Sequence, residues 1–150
     1  MRPARLGSWV AGLALAAGLM CGACSAPAQR GPTTSTTAPT VSAVLPPGGA
    51  WLKDVGFPGN PSFFTKAPAG FSIPAGVQPV GGANLAERIN VIFDGGDGPV
   101  VYAYLVDNLA AMGCRITAQS SDSIVWQDAH WQGAFTMTAS QAGLTLLAIG

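Results

Sequence analysis

Residues 88–113 read RINVIFDGGDGPVVYAYLVDNLAAMG, and the fold class turns on them. Arg88 to Phe93 is a short run rich in β-branched and aromatic side chains, which reads as a strand. Asp94-Gly95-Gly96-Asp97-Gly98 breaks it. Pro99 suits the first position of a helix, because its missing N–H would have no intrahelical partner there, with Asp97 or Gly98 as the cap. Val101, Tyr104, Leu105, Asn108, Leu109 and Met112 then recur at i, i+3, i+4 spacing, so one face of a helix over Pro99 to Met112 is apolar. Gly113 supplies its stop.

Downstream, the period changes to two. Cys114 to Gln119, Ser123 to Gln127, Gly133 to Ala139 and Leu144 to Ile149 read as four strands separated by turns, the spacing of an antiparallel meander. In the third, Phe135 and Met137 face inward while Thr136 and Thr138 face outward. Upstream, Trp51 to Ala83 is crowded with Gly and Pro yet carries Trp51, Phe57, Phe63, Phe64 and Phe71. Phe71-Ser72-Ile73 is its best strand, and the aromatics are expected to lie on the core. The expected fold is α+β, with a single helix packed on a four- to five-stranded, mainly antiparallel sheet.

Composition narrows the function classes. Among 150 residues there are seven Lys plus Arg and seven Asp plus Glu, and charged residues make up only 9% of the chain. No basic surplus is available to neutralise phosphates, so nucleic-acid binding is not expected. Hydrophobic residues make up 49%, too many for a charged disordered chain.

The N-terminus reads as an address. Arg2 and Arg5 precede an uncharged run from Leu6 to Met20 of fifteen residues. That run is shorter than the ~20 residues of a spanning helix and has the length of a signal-peptide apolar region. Met20-Cys21-Gly22-Ala23-Cys24-Ser25 follows. Here the chain resembles bacterial lipoprotein precursors, whose lipobox places two small residues before an acylated Cys. Gly22 and Ala23 match those small positions, while Cys21 stands where Leu is usual. The resemblance implies cleavage before Cys24 and lipidation of its sulfur, with Cys21 as the alternative acceptor. Ordinary cleavage near Ala26-Pro27-Ala28 is a further alternative. In its Ala/Gly/Pro/Thr-rich style the chain is also similar to small actinobacterial lipoproteins of unassigned function. The expected partner is therefore the cell membrane, reached on its extracytoplasmic face through two or three acyl chains, since one chain anchors only marginally.

Three segments result: a signal peptide over 1–23, a Pro/Thr/Ser-rich disordered tether over 24–50, and a folded domain over 51–150. The tether carries a single charge, Arg30, and could be O-glycosylated. Some 25 residues of it would hold the domain roughly 25–30 Å from the membrane.

Catalytic signals are weak. His130, the sole His, falls in an expected hairpin turn with no nucleophile elbow elsewhere. Cys114 is left unpaired once Cys21 and Cys24 are assigned, and reads as a small buried hydrophobe. Glu87 and Arg88 are too isolated for an acid/base pair. Asp94 and Asp97 are the metal candidates, since two carboxylates among glycines offer oxygens to Ca²⁺, although a strand-to-helix turn explains them. Trp126, Trp131, Phe63 and Phe64 are the ligand-binding candidates, because exposed aromatic rings stack on sugars or lipids. The expectation is a non-catalytic envelope interaction module without cofactor, engaging an envelope protein. The alternative is an extracytoplasmic binder of a small apolar or glycan ligand.

Overall fold

Buried and exposed residues alternate along every long strand of the chain, so one face of its sheet is dry and the other wet. The computed structural model describes residues 43–150. The expected signal segment, both candidate acceptor cysteines and the tether up to residue 42 lie outside the described residues. Two strands form a small antiparallel ribbon, β1 (Gly49–Trp51) and β2 (Ser72–Pro74). The main sheet contains β3 (Gly81–Asn84), β4 (Arg88–Asp94), β5 (Arg115–Gln119), β6 (Ser123–Gln127), β7 (Trp131–Met137) and β8 (Gln141–Ala148). Among the described residues there is one α-helix, α1, which spans Gly98–Asn108. The class is α+β as expected. The strand number is higher than the expected four to five, with six in the main sheet and two in the ribbon.

The extra strands come from segments without alternation. β3 reads Gly-Gly-Ala-Asn and shows no apolar period. It pairs because Gly82, at φ +153°, admits Phe64, whose ring atoms would stand 2.9 Å from any Cβ placed there. β1 corrects the domain boundary: Gly49 and Ala50, assigned to the tether, pair with Pro74 and Ile73. The chain enters β1 through Gly48 at φ +70°, and the Gly49 N–H donates to the Pro46 carbonyl at 3.1 Å.

The main sheet has the order β3-β4-β8-β7-β6-β5, with every neighbouring pair antiparallel. After β4, α1 carries the chain across the sheet to the far edge, where β5 begins. Three hairpins then walk back until β8 lies beside β4, in register from Arg88↔Leu147 to Asp94↔Gln141. The helix starts one residue earlier than expected, and its regular part stops at Asn108 rather than Met112. Turns continue to Gly113, whose φ of +80° closes a Schellman motif. There the Cys114 N–H donates to the Leu109 carbonyl at 2.9 Å and the Gly113 N–H to Ala110 at 3.1 Å.

Ile89, Val91, Phe93, Ile124, Trp126, Phe135, Leu144 and Leu146 form the dry face of the sheet. Val101, Leu105 and Leu109 of α1 cover it, together with Leu52, Phe64, Phe71 and Ile73 from the N-terminal third. The indole of Trp126 lies over its cross-strand partner Gly133 and stacks on Phe71, with centroids 5.8 Å apart and planes 9° apart. One polar group is buried within this layer. Ser72 is fully buried, and its hydroxyl hydrogen-bonds the Tyr104 hydroxyl at 2.8 Å.

A Cβ at Gly133 would fall 2.2 Å from the Trp126 ring, whereas a Cβ at Gly143 meets nothing within 4 Å. Gly133→Ala is therefore expected to lower stability by about 1–3 kcal/mol through overpacking. Gly143→Ala is expected to stay within about 0.5 kcal/mol of the parent, as for an ordinary surface change. Urea midpoints at constant m-value check both.

Candidate functional site

The residues nominated from the sequence occupy different parts of the domain. His130 is exposed in the β6–β7 turn, as expected. The turn is built by Asp128, whose Oδ1 accepts the N–H groups of His130 at 2.6 Å and Trp131 at 2.7 Å. The Asp128 carboxylate is thus engaged in holding backbone. Among the described residues no three His, Cys, Asp or Glu side chains gather closely enough to hold a metal ion.

Cys114 is buried at the end of the helix turn. Burial, and secondarily the Asp128 carboxylate, push its thiol from the ordinary 9.0 up to about 11. A thiol held in its neutral form is a poor nucleophile at neutral pH. The crevice beside it, between Pro68, Phe71, Met112, Trp131 and Leu146, is about 20 Å³, room for about one water.

Asp94 and Asp97 do not form a pair of free carboxylates. The Asp94 Oδ1 accepts the Gly96 N–H at 3.0 Å and caps the 3₁₀ turn over Gly95–Asp97. Asp97 occupies the N-cap of α1, but its side chain makes no capping bond. The expected cap chemistry is therefore present one turn upstream. The close approach of Gly95 to the Ala139 carbonyl, 2.4 Å from an added Cβ, pins the turn against the β7–β8 hairpin.

The aromatic candidates are largely withdrawn from solvent. Phe64 is fully buried and Trp126 is 1% exposed, which corrects the expectation that these two could offer exposed rings. Phe63 and Trp131 are half-buried and packed on the core. Phe57, Phe63 and Phe64 form one cluster, with the Phe63 and Phe64 rings edge-on at 5.1 Å. Their area closes the end of the core under β3.

The second face of the main sheet has a different character. Cross-strand register arranges its outward side chains in rows that run across the strands. One row reads Arg88, Leu147, Gln132, Gln127, Arg115 from β4 through β8, β7 and β6 to β5. The next reads Ala83, Asn90, Thr145, Ala134, Val125, Ala118. A third contains Gly81, Ile92, Gly143, Thr136 and Ser123. Added Cβ atoms at Gly81 and Gly143 meet nothing within 4 Å, so the face is uncovered among the described residues. Small side chains fill the second and third rows except at Asn90, Val125 and Ile92. Asn90 Oδ1 is buried there without a hydrogen-bond partner.

Nothing local in the sequence links Arg88 to Arg115. The alternation Arg88-Ile89 and Arg115-Ile116 does place both outward. Only the sheet order, however, brings positions 27 residues apart onto one row. Comparison with protein-family models, with curated proteins and with solved structures finds no match.

Two outcomes follow from this geometry. Asp94→Ala is expected to cost about 0.5–2 kcal/mol, the usual range for a lost cap, while Asp97→Ala leaves the urea midpoint near that of the parent. A thiol near 11 rather than 9.0 carries about a hundredfold less thiolate at pH 8. Iodoacetamide should therefore label the Cys114 peptide of the native chain at least about a hundredfold more slowly than that of the urea-unfolded chain. The stability gained by keeping this thiol neutral is fully present below pH 9.0 and is lost as pH rises toward about 11.

Proposed function

We propose that the protein is a lipid-anchored cell-envelope module, held through Cys24 on the extracytoplasmic face of the membrane, which engages a partner without turning over a substrate. One observation carries the reading. An uncharged fifteen-residue run after Arg2 and Arg5 is followed by Cys21 and then Gly22-Ala23-Cys24, the order of a lipoprotein signal and its acceptor. Two or three acyl chains on one residue anchor stably where a single chain would not. After cleavage five basic and seven acidic residues remain, so the lipid rather than surface charge makes the attachment.

The non-catalytic part of the reading rests on what the polar groups already do. The Asp94 and Asp128 carboxylates accept backbone N–H groups, and the Cys114 thiol is buried with its proton retained. Groups spent on holding backbone, or pushed away from a working pKa, are poor acid/base or nucleophilic catalysts. Among the described residues no helix is long and apolar enough to cross a membrane. Attachment through the acylated N-terminus is the form of membrane association proposed.

Intact mass and membrane fractionation of the full chain test the anchor. The native protein should carry acyl mass on the peptide beginning at Cys24 and sediment with membranes. Cys24→Ala should lose both properties, and Cys21→Ala should keep them. A native chain that is unacylated and free of membranes overturns the reading, and acyl mass that follows Cys21 instead moves the acceptor.

A further inference from the structure

We infer that the open face of the main sheet is an anion-reading face that takes a linear acidic polysaccharide laid across the strands, with Arg88 and Arg115 as its charged contacts. This rests on the interaction-module reading above and names the partner's chemistry. The described residues hold four cations, Lys53, Lys66, Arg88 and Arg115, against seven acids, so a local positive field on this domain needs a specific cause. Lys53 is paired with Asp54 at 2.7 Å. Arg88 and Arg115 have no ion-pair partner among the described residues, and both stand on the same cross-strand row.

That row contains no acid. Between the two guanidiniums stand Leu147, Gln132 and Gln127, and the amides offer both donors and acceptors to hydroxyl groups. Asp94, the one acid on the outward positions of β4, lies six residues along the strand from Arg88, about 20 Å at the usual strand rise. Four strand spacings separate Arg88 from Arg115, roughly 19 Å at ~4.8 Å each. At that spacing, beyond a Debye length of about 8 Å at physiological salt, the two positions act as separate charges, and a chain with repeated acidic groups spans both. Guanidinium forks hold carboxylate or phosphate in a planar, bidentate manner.

The adjoining rows favour a hydroxyl-rich chain over a peptide. Ala83, Thr145, Ala134 and Ala118 keep the floor low on either side of Asn90 and Val125, and Thr145 and Thr136 place hydroxyl groups on it. At the Arg88 end the floor meets a shallow groove of about 380 Å³ between Leu85, Ala86 and Leu147, with Glu87 on its rim. Asn90 lies in the floor with its buried amide oxygen unpartnered.

The test uses the full-length chain in neutral detergent, with polygalacturonate as the carboxylate polysaccharide, dextran as the neutral one and poly-L-glutamate as the acidic peptide. Polygalacturonate should bind at low salt and weaken as salt rises, and dextran should not bind. Arg88→Glu and Arg115→Glu should each weaken binding about tenfold or more, and the double variant should abolish it. Lys53→Glu, the same change of charge on the Leu52–Asp54 turn after β1, should bind like the parent. Unchanged urea midpoints show that the variants fold. No polygalacturonate binding at low salt, or equal binding by the double Arg variant, overturns the assignment of this face. Poly-L-glutamate bound as tightly as polygalacturonate overturns the polysaccharide class. Loss of the acyl mass at Cys24 would overturn the anchor alone, because the polymer titration reads the folded domain whether or not it is lipidated.

Discussion

The pairing of β4 with β8 is the constraint on which the rest of the domain depends. It joins residues 88–94 to residues 141–147 in one antiparallel register, and it closes the sheet only after the helix crossing and three hairpins are in place. Because side chains alternate along a strand, a slip of one residue here would exchange the two faces of the sheet. Ile89, Val91 and Phe93 would turn to solvent, and Arg88, Asn90 and Ile92 would meet the helix. The large apolar side chains on β4 and β8 make that exchange prohibitive, so the register is held by burial as much as by hydrogen bonds.

Once that register is set, the two faces have separate tasks. The dry face takes Trp126 over Gly133, Phe71 against the indole, and the apolar stripe of α1. The aromatic residues of the N-terminal third act as a second cover beside the helix. A single helix of 11 residues is too short to cover six strands. Irregular segments rich in Gly and Pro finish that cover, since only such backbone brings Phe64 onto Gly82 and Leu52 under β2. The wet face carries mostly small or polar residues, with Ile92 and Val125 among them, and places Arg88 and Arg115, which have no ion pair among the described residues, on one outer row.

Several short polar side chains hold the fold rather than a reactive site. Asp94 caps a turn, Asp128 builds one, and Ser72 ties the ribbon to Tyr104. Each is a short side chain at a place where strand or helix geometry leaves an N–H or hydroxyl without a partner. That arrangement leaves His130 and Cys114 unconnected. His130 stands in an exposed turn and Cys114 stays protonated inside the core.

Local pattern alone determined the helix and its Pro-led start, the strands with clear alternation, the inward set of Phe135 and Met137, and the α+β class. These are consequences of periods 2 and 3.6, which are written in adjacent residues. Tertiary structure alone decided the strand order, the recruitment of Gly81–Asn84 and Gly49–Trp51 as strands, and the burial of Phe64 and Trp126. Glycine carries no hydropathy signal, so β3 becomes a strand only where Phe64 needs a partner without a Cβ. The row that joins Arg88 to Arg115 has the same origin. Which residues lie side by side on a sheet depends on which strands pair, and that pairing is settled by burying one face against α1, at a distance in sequence that no local pattern spans.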